Sequence, residues 1–303
     1  MNKIKTPSRL RIAYTPDSDD VFNYYGWESG NLALPDKSMD VVFERGHIIA
    51  LNHAAMDQVY DVVGVSSVVY PLLEKDYWIM SVGNSVGRNY GPVLVSKNYH
   101  SVEELKGKRI AIAGMPTTGG VLALMYCEGA ELIEEQYDLI SDKILKGEYD
   151  AGVMIHEELL FFGEKGLTKV CDLGEIWCQD TGVPLPVGLN LVKKTLGREL
   201  AGQITKLCQE SLQWGHDHYD EAFAAASKVG RGCAEDHVRM FSNDDTMYLK
   251  DDVRAGIKIM FERMATLGVG PKLASYGIIE PELKTHYIDS VPRHNDRVVS
   301  ENI

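Results

Sequence analysis

The 303-residue chain is 45% hydrophobic and 25% charged, enough apolar material for a sizeable core and, at about 100 to 200 residues per domain, enough length for two lobes. Its formal charge of −13 is not interrupted by a basic stripe, so it repels phosphate backbones and anionic lipid surfaces, which argues against nucleic-acid and membrane partners. The opening MNKIKTPSRLRIAYT has no apolar core ahead of a cleavage site and no later run is long enough to span a bilayer, so the expectation is a cytoplasmic protein.

From the start to about residue 190, short β-rich runs alternate with helical ones. RLRIAYT precedes DDVFNYYGWESG, MDVVFERG precedes HIIALNHAAMDQVY, and DVVGVSS precedes VVYPLLEK. This rhythm predicts an α/β protein with a mostly parallel sheet covered by helices on both faces. After GPVLVSKN it resumes, with SVEELKG as a short helix, KRIAIAG as a strand, TTGGVLALMYCEG as a helix, and YDAGVMI and TKVCDLG as strands. A second Gly/Pro-marked extended segment, VPLPVGLNLVKK, follows. Two such segments let the chain cross into a second lobe and return, which divides it into 1–92 for the first part of lobe one, 93–191 for lobe two, and 192–303 for the return to lobe one. Beyond residue 195, apolar residues at three- and four-residue spacing predict helices through LAGQITKLCQESLQWGHDHYDEAFAAASKVG and DDVRAGIKIMFERMATLG. The last twenty residues are polar and aperiodic and read as a tail, or as an arm onto a second copy in a homodimer.

Polar groups recur at the carboxyl ends of the expected strands, where open α/β sheets bind ligands. Thr15, Asp17, Ser18, Asp19 and Asp20 follow the first strand, Ser66 and Ser67 the third, Thr117 and Thr118 the strand KRIAIAG, and His156 the strand YDAGVMI. The first two junctions belong to one lobe and the last two to the other, so a single cleft could receive all four. In GMPTTGGVLAL, Thr117 or Thr118 can cap a helix while Gly119 and Gly120 let a ligand approach its first amides, where the dipole favours an anion such as a carboxylate. Plain capping explains each junction taken singly. His156 precedes Glu157 and Glu158, which suit a helix first turn. The helix dipole disfavours an imidazolium there and leaves a ring able to accept a proton, while the two carboxylates pull the other way and a structural role stays open.

Other chemistries find less support. Asp17, Asp19 and Asp20 could ligate a cation such as Mg²⁺, but capping by Asp19 or Asp20 accounts for them with fewer assumptions, and no metal or organic cofactor is expected. His216 and His218 are two apart on a helix and face different ways; HEELL lacks the second histidine of HExxH. There is no GxxxxGK[ST], dinucleotide fingerprint or GxSxG elbow, and the five cysteines, Cys127, Cys171, Cys178, Cys208 and Cys233, fit reduced packing thiols.

The segments TPDSDDVF, YDVVGVSSVVYPLL, NYGPVLVS, IAGMPTTGGVLAL, DAGVMIHEELLFFGEKGL and DLGEIWCQDTGVPLPVG resemble the menaquinone-biosynthesis family of the futalosine route, and within it the naphthoate-synthase branch more than the chorismate-dehydratase branch. The resemblance covers the chain to about residue 270. It implies a two-lobed, type II periplasmic-binding-protein-like fold with two crossover hinge strands, used for cofactor-independent carbon–carbon bond cleavage. It also implies His156 as the base, with Ser66, Thr117, Thr118 and Gly119 holding polar groups of a small-molecule substrate, a carboxylate or hydroxyls. The first loop departs from the family's SPCPNDTF pattern, Gly119 replaces an alanine, and Val68 stands where an aromatic or histidine-bearing segment is common. Three acidic residues in the loop would repel an anionic part of a ligand or favour an amine or hydroxyl-rich one. A paralogue acting on another substrate, and a binding module that does no chemistry, are the alternatives.

Overall fold

Leu10, Ile12 and Tyr14 of RLRIAY are all fully buried, and the strand they form, β1 (Arg9–Tyr14), lies inside the first of two sheets. The computed structural model describes residues 8–229 and 234–281; Cys233 and the C-terminal stretch expected to reach a second copy lie outside them. The chain continues through α1 (Ser18–Glu28), β2 (Asp40–Arg45), α2 (Ile48–Met56), β3 (Val62–Ser66), α3 (Tyr70–Leu73), β4 (Tyr77–Met80) and β5 (Ser85–Gly87). It then crosses over. The second lobe holds β6 (Val93–Ser96), β7 (Arg109–Ile112), α4 (Thr118–Tyr126), β8 (Glu131–Glu134), α5 (Tyr137–Leu145), β9 (Ala151–Met154), α6 (Glu158–Phe161), β10 (Thr168–Asp172) and α7 (Leu173–Thr181). The return strand β11 (Leu185–Lys193) leads to α8 (Arg198–Asp217), α9 (Tyr219–Ser227), α10 (Ala234–Phe241), α11 (Asp244–Met247), α12 (Asp251–Leu267) and β12 (Ile278–Ile279).

The first sheet runs β12-β4-β11-β3-β1-β2, with β5 pairing the start of β11; the second runs β10-β6-β9-β7-β8. Both sheets are mixed, where the strand–helix rhythm predicts them mostly parallel. Each has a parallel trio, β2-β1-β3 and β8-β7-β9, flanked by a strand that enters from the other lobe and runs antiparallel: β11 against β3, and β6 against β9. The direction follows from the crossover. A chain that arrives from the other lobe comes in at the carboxyl edge of the trio, so its strand must run back toward the amino edge.

Pro186 sits within β11 at a register shift against β5, the irregularity that lets a proline without an amide stand in a sheet. The same strand runs on between β3 and β4, so one nine-residue segment carries hinge and sheet together. The expected short helix in SVEELKG is a single 3-10 turn, Glu103–Leu105. The polar-patterned strand β8 and helix α5 are additions that the apolar periodicity does not announce. No helix among the described residues is long and apolar enough to cross a membrane.

Candidate functional site

The carboxyl ends of β1, β3, β7 and β9 open onto one pocket of about 770 Å³ between the lobes. Thr15, Asp17, Asp19, Asp20, Ser66, Thr117, Thr118, Gly119 and His156 all line it. Ser67 is fully buried just behind.

The loop TPDSDD places each acidic side chain on a different partner. Asp17 occupies the N-cap position of α1, yet its side chain makes no cap bond. Its Oδ2 accepts from the Thr15 hydroxyl at 2.8 Å and lies against Nδ1 of His156. Asp20 turns back on the loop, where its Oδ2 meets the amide of Thr15 at 2.9 Å and the Thr15 hydroxyl at 2.8 Å. Asp19 reaches α10, its Oδ1 standing 3.2 Å from Nδ1 of His237. The expectation that Asp19 or Asp20 caps the helix is therefore corrected: both side chains are drawn to tertiary partners. Nor do the three carboxylates converge as cation ligands, and no group of three metal-ligating side chains occurs among the described residues.

Burial, then the nearby charge of Asp19, holds the Asp20 carboxyl well above the usual carboxylate range. A protonated Asp20 can donate to the Thr15 hydroxyl, whose own proton then goes to Asp17, and Asp17 accepts from His156 Nδ1–H. The chain of donors thus runs from Asp20 through Thr15 to Asp17.

His156 takes φ = 56°, a left-handed conformation uncommon outside glycine, and its ring is seated edge-on to Tyr137 at 4.9 Å between centroids. With Nδ1 held by Asp17, Nε2 is buried and has no hydrogen-bond partner among the described residues. A buried polar atom left in that state is the mark of a place that expects a ligand. Glu157 stands at the N-cap of α6 and Glu158 in its first turn, as the sequence suggests; both are buried, and Glu157 accepts from the Ser18 hydroxyl at 2.6 Å across the cleft.

The hydroxyls expected to hold substrate are largely engaged within the protein. Thr117 donates to the carbonyl of Gly114 and caps α4 by accepting from the amide of Gly120. Thr118 donates to the carbonyl of Val187 and Ser67 to that of Pro186, both at 2.6 Å, so these two side chains fasten the lobes to the hinge strand β11. Capping by Thr117 leaves the amides of Thr118 and Gly119 at the open start of α4, without an acceptor among the described residues. Gly119 gives access: a Cβ there would come 3.0 Å from Val153 Cγ1 and 3.2 Å from Ile155 Cγ2. Ser66 is bound on both its amide and its hydroxyl by the side chain of Asn52, which also donates to the carbonyl of Pro116 in the other lobe.

Four contributors escaped the sequence reading. Asn52 is fully buried on α2, and the signal was a lone amide on the apolar face of IIALNHAAM. Asn190 lies on β11 and reaches the carbonyl of Gly83 at 3.0 Å. His237 and Phe241 lie on α10 one turn apart and both line the pocket, a spacing legible in HVRMF once one face is known to be inward. His237 is 3% exposed; burial alone would lower its basicity, but the charges of Asp19, then Asp17 and Glu157, outweigh it and raise the imidazole to about 9.

Comparison with known proteins bears on the fold and the family. In a solved structure of protein AF1704 from Archaeoglobus fulgidus, 33% identical, the fold matches with a TM-score of 0.82 over 89% of this chain and 100% of that one. The alkanesulfonate-binding protein SsuA from Xanthomonas axonopodis pv. citri, bound to MOPS, matches with a TM-score of 0.67 at 12% identity over 88% and 96% of the two chains, which shows the two-lobed periplasmic-binding-protein-like fold. Among curated proteins, the 1,4-dihydroxy-6-naphthoate synthase of Thermus thermophilus is 27% identical over 264 residues, 86% of this chain and 95% of that one. The enzyme of the same name from Streptomyces coelicolor is 25% identical over 282 residues, 90% and 98% of the two. The family model described as menaquinone biosynthesis matches residues 10–266, a span that begins in β1 and ends in α12 and so contains every pocket residue named above; the chain belongs to that family.

Proposed function

We propose that the protein is a carbon–carbon lyase of the 1,4-dihydroxy-6-naphthoate synthase kind, splitting cyclic dehypoxanthine futalosine by general base catalysis in the interlobe pocket. One observation carries the reading: His156 is fixed through Nδ1 by Asp17, while its Nε2 is buried in the pocket with no partner among the described residues. That is the geometry of a base. The carboxylate selects the tautomer with the proton on Nδ1, leaves the Nε2 lone pair to take a proton from substrate, and stabilises the imidazolium that results. The amides of Thr118 and Gly119 at the start of α4 suit a substrate carboxylate, and the Asn52, Ser18 and Thr118 contacts across the cleft keep water from the reacting atoms. The names of the curated relatives support the same chemistry.

The test is to incubate the purified protein and a His156→Asn variant with cyclic dehypoxanthine futalosine and to follow release of 1,4-dihydroxy-6-naphthoate. Turnover by the parent, with binding but no turnover by the variant, is the expected result. Tight binding without conversion by the parent would make the protein a binding module, and full turnover by the variant would remove the base role.

A further inference from the structure

We propose that His237 is a second imidazole of the site, donating a hydrogen bond to the substrate oxygen that gains negative charge while His156 takes its proton. The inference rests on the reading of His156 as base and assigns the opposite role. The carrier of that role is a side chain from α10, outside the four strand ends that supply the rest of the pocket.

His237 lines the pocket and is almost wholly buried, so its place there is not that of a surface residue that happens to be near. α10 packs against α1, and the ring of Phe241, one turn on, lies 5.1 Å from the imidazole and holds it from behind. Asp19 Oδ1 stands 3.2 Å from Nδ1 and balances the charge of the imidazolium. A buried cation at the wall of the pocket, its charge balanced by Asp19 on one side, is what a growing oxyanion requires.

The groups around it keep it charged. Asp19 on α1, Asp17 in the loop before it and Glu157 ahead of α6 all raise its basicity, against the effect of burial. On α9, Asp220 and Glu221 are exposed; on α10 itself, so are Glu235, Asp236 and Arg239; β5, which also packs on α10, has no titratable side chain. The two imidazoles therefore differ in setting. His156 is joined to a carboxylate through Nδ1 and offers a lone pair, and His237 is ringed by carboxylates and offers a proton.

The experiment uses the full chain, labelled at histidine, with NMR titration of the imidazoles and with 1,4-dihydroxy-6-naphthoate as probe. Addition of the naphthoate should shift the ring signals of both His156 and His237. Asp19→Asn should bring the His237 midpoint down from near 9 toward the ordinary imidazole range. In turnover, His237→Ala should lower kcat by roughly 10²- to 10³-fold with KM changed only a few-fold, while His237→Gln, which retains an N–H donor, should recover part of the loss. A probe that moves His156 and leaves His237 unmoved overturns this assignment while the base reading stands. A probe that moves neither ring overturns the reading of function and this assignment with it. A His237→Ala protein with unaltered kcat across the pH range would reduce the residue to a structural one.

Discussion

Oδ2 of Asp17, carried by lobe one, lies against Nδ1 of His156, carried by lobe two, so the orientation of the base depends on the lobes being together. In an open form the imidazole would lose the acceptor that sets its tautomer. On the proposed role of His156, closure around substrate and activation of the base would be one event.

Replacing Asp17 with asparagine retains size and removes the charge. The amide can present its NH2 to Nδ1, which favours the tautomer with the proton on Nε2 and withdraws the lone pair from the pocket. Turnover should fall on the order of 10²- to 10⁴-fold, with KM changed much less. Steady-state kinetics on Asp17→Asn check this, and a change confined to KM would show that Asp17 only binds.

Ser18 and Glu157 make a second bond between the lobes, with a hydroxyl donating to a buried carboxylate at 2.6 Å. Ser18→Ala removes the donor and should destabilise the closed form by about 1.5 to 3 kcal/mol, the range for hydrogen bonds to charged groups. Calorimetry should show the lower melting temperature, and small-angle scattering of the ligand-free variant should show a larger radius of gyration. A variant as compact and as stable as the parent would mean that Glu157 is adequately held by its other neighbours.

The strand ends and their polar clusters were legible in the sequence because β1, β3, β7 and β9 are short apolar runs that stop at Thr, Ser, Asp or His. The two crossovers were legible as Gly/Pro-marked segments. What those side chains do was less so. Thr118, Ser67 and Thr117 are the residue types that bind ligands and also the types that fasten backbone, and only the positions of the Val187, Pro186 and Gly114 carbonyls decide between these uses. The same holds for the aspartates of TPDSDD, which the pattern reads as helix caps and the fold uses on His156, Thr15 and His237. His237 itself lies 81 residues beyond His156, on a helix whose inward face no local pattern ties to the pocket.

Gly83, which lines the pocket, should be costly to substitute. It holds φ = 82°, and a Cβ there would fall 2.0 Å from Nδ2 of Asn190, the atom that donates to the Gly83 carbonyl. Gly83→Ala combines left-handed strain, about 1 to 2 kcal/mol, with displacement of Asn190, and a loss of about 2 to 4 kcal/mol is expected. Chemical denaturation measures it. A double variant with Asn190→Ala should recover the overlap part of the loss and leave the strain, and if it recovers nothing the overlap is not the cause.

The His237–Asp19 pair gives stability a dependence on pH with a definite sign. The imidazole binds its proton more tightly in the folded chain, at about 9, than at its ordinary 6.5, so its contribution is fully present below pH 6.5 and is lost as pH rises through about 9. The gap between these values corresponds to about 3 kcal/mol when fully expressed. Asp20, whose carboxyl burial holds above its usual range, acts with the same sign, because it too favours its protonated form when folded. Unfolding free energy measured between pH 6 and 10 should therefore fall for the parent, and His237→Gln should flatten that fall without touching the part below pH 6. An equally steep alkaline decline in the variant would place the titrating group elsewhere, since the glutamine has no proton to lose in that window.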